Sequence, residues 1–124
     1  MSSLTRALAG EKLTFDLDGQ IAELRRDEHY VRSGRVGRTL VKAGPLRLTL
    51  TLIAEGVDIG THHAAAPMTL HVLQGRLRYG VDEEEFEMGQ GEVLFFGPGH
   101  AKDIRALEDT ALLLTITGDS PEAG

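Results

Sequence analysis

Residues 56–75, GVDIGTHHAAAPMTLHVLQG, hold three of the chain's five histidines: His62, His63 and His71. Neutral imidazole ligates iron, manganese, nickel, copper or zinc, provided that several donors converge on one point. Strand geometry restricts that convergence, because side chains two apart share a face and adjacent ones face apart. By that rule His62 and Ala64 share a face and His63 takes the other. If Met68 points inward, Leu70 and Val72 follow it, and His71 turns away with Leu73. His100, in the turn that opens with Gly97-Pro98-Gly99, is the histidine placed to join His62. A metal in this chain would therefore rest on His62 with His100 as its partner, while His63 and His71 are expected at the surface or in a subunit contact.

The elements that must position these residues have a period of two. Leu46, Leu48, Leu50 and Leu52 alternate with Arg47, Thr49 and Thr51, which reads as a strand with one buried face. Further strands are expected at 68–73, 77–81, 85–88, 92–96, 103–106 and 110–117. Breakers separate them at Gly44-Pro45, Gly75, Gly89, Gly91 and Gly97-Pro98-Gly99. Short strands at this spacing imply an antiparallel sandwich or barrel. The acidic run 82–85 suits a hairpin tip. In the N-terminal third, 13–16 is a candidate short strand, and 20–29 a candidate helix capped by Asp18 with Ile21 and Leu24 on one side. Residues 32–38, Arg-Ser-Gly-Arg-Val-Gly-Arg, read as a loop whose three arginines either hold an anion or are simply solvated.

The spacing of glycines and histidines resembles the two motifs of the cupin superfamily. Gly56, His62, Ala64, Met68 and Gly75 lie on the register of G-x5-H-x-H-x3-E-x6-G, and Gly91, Gly97, Gly99, Lys102 and Ala106 on that of G-x5-P-x-G-x2-H-x3-N. Pro98 is displaced by one position. The resemblance covers roughly residues 40–117 and implies an all-β fold, the double-stranded β-helix or jelly-roll cupin barrel, with a short N-terminal helix or extension. The organisation expected is an extension over 1–39 packed on the barrel, the barrel over 40–117, and a flexible tail over 118–124.

The resemblance also implies a four-ligand metal site, and of those ligands only His62 is present. Ala64, Met68 and Lys102 stand at the other three positions. An alanine donates nothing, and a protonated lysine has no lone pair and repels a cation. If Lys102 points into the barrel, water, a carboxylate such as Glu92, or a bound anion must compensate its charge. The leading expectation is a non-enzymatic, homodimeric module that binds a small ligand, an anion, or serves structurally. It would use His62, Met68, Lys102 and His100, with no cofactor. The alternative is a metal-dependent cupin enzyme of dioxygenase or isomerase type, with a divalent Fe, Mn, Ni, Cu or Zn ion on His62 and His100. A third possibility is metal-free catalysis, with Lys102 and His62 as acid/base groups or Lys102 as a Schiff-base lysine.

Composition bounds these readings. The chain has 124 residues, the size of one domain, and no cysteine, which excludes disulfides and thiolate chemistry. Its net charge of −6 argues against nucleic-acid binding. Residues 1–50 carry nine Lys/Arg against six Asp/Glu, and residues 51–124 four against thirteen, so the halves differ in sign. Such halves suit attraction within a subunit or across a dimer. No run has a signal-peptide core or reaches transmembrane length, so a cytoplasmic chain with no membrane partner is expected.

Overall fold

The computed structural model describes residues 12–59, 62–64, 67–81, 83–96, 99–101 and 103–117, with the backbone alone described for 62–64, 81, 96 and 99–101. The alternating segments are strands: β1 (Arg35–Ala43), β2 (Leu46–Ile53), β3 (His62–Ala64), β4 (Met68–Gln74), β5 (Arg76–Val81), β6 (Glu84–Gly89), β7 (Val93–Phe96), β8 (Gly99–Ala101), β9 (Asp103–Ala106) and β10 (Thr110–Ile116). They build an antiparallel sheet in the order β1-β2-β10-β4-β7, a second in the order β6-β5-β9, and a β3-β8 pair. The result is an all-β jelly-roll barrel with two short helices before it.

Register explains the inside of the barrel. Leu112 lies opposite Thr51 on one side and Val72 on the other, and Leu114 lies opposite Thr49 and Leu70. Across this row, Leu70, Val72 and Leu112 meet Leu77, Tyr79, Met88 and Ile104 of the second sheet in one buried cluster. The turn that joins β4 to β5 depends on Gly75, whose φ is 93°. A Cβ there would run into the Asp109 carbonyl and lie 2.6 Å from Thr110 Oγ1, so the close approach of the chain entering β10 admits glycine only.

The outer face of the first sheet carries a second core. Ile21 and Leu24 of α1 (Leu17–Arg25) pack on Leu40, Leu50, Leu52 and Ala111. Burying each such leucine or isoleucine contributes about 1.5–3 kcal/mol, which holds the helix on the sheet. Arg38 adds a polar tie, donating to Gln20 Oε1 at 2.6 Å and Glu23 Oε1 at 2.7 Å. A β-bulge between Thr39 and Val41 leaves Leu40 without a register partner and lets Leu40 and Val41 both pack on this covered face.

Four expectations about the first half of the chain are corrected. The alternation over Leu46–Leu52 does not mark a strand with a single buried face. Leu50 and Leu52 lie under α1, while Thr51 and Ile53 face the barrel interior. The expected single helix over 20–29 is two, α1 and α2 (Glu28–Ser33). Asp27 breaks it by taking an extended conformation and accepting the His29 N–H at 2.8 Å. Residues 13–16 form no strand, and Asp16 rather than Asp18 occupies the N-cap position of α1. Residues 32–38 are the end of α2 and the start of β1, not a loop, so the first strand of the main sheet begins at Arg35. Residues 118–124, the expected tail, lie outside the described residues.

Candidate functional site: a cavity within the barrel

The interior cavity begins with Gly34. It ends α2 in the left-handed region, φ 81°, and donates its N–H to the Tyr30 carbonyl at 2.7 Å. That conformation turns the chain from helix to strand in one residue. Arg35 follows as the first residue of β1, and Ser33 Oγ donates to its carbonyl at 3.1 Å. In the β1–β2 register Arg35 lies opposite Ile53 and Gly37 opposite Thr51, so all four belong to the inward face.

Arg35 and Thr51 then share a cavity of about 180 Å³ with six apolar side chains. Ile59 and Ile104 close one side, and Met68, Leu70, Leu112 and Leu114 supply the wall from β4 and β10. An adjoining recess of about 370 Å³ also touches Arg35, Thr51 and Ile59 and is bordered by Gly37. Arg35 therefore stands where an aliphatic chamber meets a more open one. The three arginines of residues 32–38 divide cleanly. Arg32 pairs with Glu28 at 3.0 Å and Arg38 with Glu23 at 2.7 Å, whereas the Arg35 guanidinium has no ion-pair partner among the described residues.

The expected site residues are placed unevenly. Met68 is 4% exposed and lines the cavity, with Leu70 and Val72 on the same inward face. His71 takes the opposite face, half-buried, between Leu113 and Val93 in the sheet register. For His62 and His100 the backbone is described: His62 lies opposite Ala101, and His63 opposite His100, in the β3–β8 pair. Lys102 lies outside the described residues. Glu92, a possible counter-charge, instead accepts the Gly89 N–H at 2.7 Å across the β6–β7 turn. Among the described residues no group of three His, Asp or Glu side chains is arranged to hold a metal ion.

Sequence reasoning missed Arg35 and Thr51 as cavity residues. The signal for Arg35 is the arginine-rich segment itself, whose glycines and serine suit a loop equally well. Tyr79 is a further group near the cavity, neighbouring Ile104 in register and stacked on Phe86 with ring centroids 6.2 Å apart. Burial raises its phenol above the ordinary value of 10.0 by disfavouring the charged form.

No helix among the described residues is long and apolar enough to cross a membrane. No family model and no curated protein matches the sequence. Solved structures do match. A Rhizobium leguminosarum protein of unknown function is 20% identical with a TM-score of 0.70, covering 89% of this chain and 100% of that one. A cupin-2 domain protein from Shewanella frigidimarina is 12% identical with a TM-score of 0.68, covering 84% and 94%. A cupin superfamily protein from Desulfitobacterium hafniense is 15% identical with a TM-score of 0.65, covering 68% and 78%. The fold of this chain is that of the cupin superfamily.

Proposed function

We propose that this chain is a cytoplasmic, non-enzymatic cupin-fold module that binds a small anionic molecule inside its barrel without the usual metal centre. The observation that supports this reading is the cavity wall. Met68, at the position of the motif's glutamate, presents a thioether among aliphatic side chains, with Arg35 as the cation at the edge. A wall of this kind suits an apolar body with one charged end better than a hydrated metal ion. His62, His100 and Lys102 complete the proposed ligand-binding set as hydrogen-bond donors. The test is elemental analysis of untagged protein after incubation with iron, manganese, nickel, copper and zinc in turn. Substoichiometric metal is expected in every case. Stoichiometric metal lost in His62→Ala would sink the metal-free reading.

The alternative is a metal-dependent enzyme of dioxygenase or isomerase type. It draws support from the β3–β8 pairing, which sets two histidine-bearing strands side by side. The same elemental analysis separates the two readings, since the enzyme needs a bound ion on His62 and His100.

A homodimer is also proposed. β7 is an edge strand, and its outward Val93 and Phe95 are 58% and 65% exposed. A two-fold axis would set this apolar strip against its own copy. Phe95→Glu is expected to shift the dimer to monomer by light scattering, and an unchanged mass would remove β7 as the interface.

A further inference from the structure

We infer that the cavity selects a short aliphatic monocarboxylate, its carboxylate gripped by Arg35 beside the Thr51 hydroxyl. The inference rests on the small-ligand reading of the barrel and adds to it the ligand class and the residue that recognises the charge.

Three features of β1 and β2 carry it. First, Gly34 and the Arg35–Ile53 register bring a guanidinium to the junction of the inner chamber and the outer recess. Its neighbours Arg32 and Arg38 are held by glutamates of the helices, and Arg35 forms no ion pair among the described residues. A planar guanidinium matches a carboxylate through two parallel N–H···O bonds.

Second, Gly37 lies opposite Thr51, and a Cβ added there would lie 3.7 Å from Thr51 Oγ1. The missing side chain leaves the hydroxyl uncovered on the side that borders the recess. Among the described cavity residues, Arg35 and Thr51 thus form one polar corner beside Gly37, and the remainder of the lining is apolar.

Third, the inner chamber sets size and polarity. Apolar cavities of about 150 Å³ hold a benzene-sized molecule. At about 180 Å³, this one accommodates a body of comparable or slightly greater size. Met68, Leu70, Leu112 and Leu114 offer such a body contact but no hydrogen bond. A second carboxylate or a polyol would lose its water without replacement there. A ligand that lies along this wall is therefore disfavoured as a dicarboxylate or sugar acid and favoured as one carboxylate on about five or six carbons.

The test is calorimetric titration of the full chain with hexanoate, hexanamide, adipate and inorganic phosphate, repeated with Arg35→Gln and Gly37→Val. Hexanoate is expected to bind at least about tenfold more tightly than hexanamide or adipate. Arg35→Gln should weaken hexanoate by about tenfold to a hundredfold and leave hexanamide unchanged, as expected for a charge-assisted hydrogen bond. Gly37→Val should weaken hexanoate while the net charge stays the same. Equal binding of hexanoate and hexanamide, or preferential binding of phosphate, would overturn the inference and leave the small-ligand reading standing. A hexanoate preference that survives Arg35→Gln and vanishes in Lys102→Met would also overturn it, assigning the charge to Lys102. Binding of none of the four to the native chain would overturn the inference and the small-ligand reading together. Far-ultraviolet circular dichroism confirms that each variant is folded, and Arg35 is exposed, so its replacement leaves the core intact.

Discussion

Arg35 and Met68 line the same cavity from two strands that do not touch, β1 at one edge of the main sheet and β4 near the other. β2 and β10 lie between them, and the curvature of the sheet brings a guanidinium and a thioether into one chamber. Met68→Ala should therefore enlarge a space that already exists rather than open a new one. The expected cost is about 2–3 kcal/mol by urea denaturation, the low end for such truncations because the side chain already borders open space. A loss above about 5 kcal/mol would mean that Met68 is packed on all sides and does not face a cavity.

Gly34 and Gly37 flank the cavity arginine and should respond unequally to alanine. Gly34 has φ 81°, and a Cβ there would lie 2.7 Å from Val57 Cγ2. Gly34→Ala is expected to cost about 1–3 kcal/mol from the left-handed backbone and the contact together. Gly37 has no positive φ, and its nearest neighbour to an added Cβ is at an ordinary 3.7 Å. Gly37→Ala should change stability by less than about 0.5 kcal/mol. Thermal unfolding of the two variants side by side checks the pair, and equal losses would contradict the geometry.

Leu24 tests whether the N-terminal helix belongs to the cooperative unit. It is fully buried between α1 and the outer face of β2 and β10. Leu24→Ala should lower stability by about 2–5 kcal/mol in one transition, with fluorescence-free probes such as circular dichroism following a single curve. A two-step unfolding would show that α1 comes away before the barrel.

The two tyrosines of the chain supply a pH test. Burial raises Tyr79, and burial followed by the negative charge of Asp109 raises Tyr30, both from an ordinary value of 10.0. A folded pKa above the unfolded one means that this contribution to stability is complete below pH 10 and is lost as pH rises through the folded values. Phenolate absorbance in the native chain is expected to appear above pH 10, and to shift back to about 10 in denaturant. A native titration midpoint at or below 10 would show that the rings are solvated.

Glu23 supplies the acid counterpart. Its hydrogen bond from Arg38 and the charge of that guanidinium hold its carboxyl below the usual 4.5. The stabilisation is present above the unfolded value and fades as pH falls through the folded one. Glu23→Gln should flatten the acid limb of the stability curve, and an unchanged limb would mean that the Arg38 contact is not kept in solution.

Much of the strand map was legible because it is local. The 103–106 strand has the bounds that its alternation implies, and those of the others differ by a residue or two. The glycine spacing was legible for the same reason: Gly56, Gly75 and Gly91 all have φ between 86° and 93°, a conformation that side-chain-bearing residues avoid. The inward face of β4 also followed from periodicity, which placed Met68, Leu70 and Val72 together.

The cavity's polar corner was not legible, and the reason is physical. Arg-Ser-Gly-Arg-Val-Gly-Arg has the local composition of a turn, and only pairing with Leu50–Ile53 makes its second half a strand. In β2 the leucines outrank the threonines as core formers, so alternation by itself assigns Thr51 to solvent. That assignment holds for a sheet with one covered face. Here α1 takes the leucine face and the barrel takes the other, and a strand's own residues cannot register how many layers will cover it. By itself the sequence determined the course of β2, β4 to β7, β9 and β10 and which motif ligands are missing, since backbone preference and residue type are local properties. Which face of β2 lines the cavity, and that Arg35 rather than Arg32 or Arg38 reaches it, was decided only by long-range pairing and by the helix packed outside.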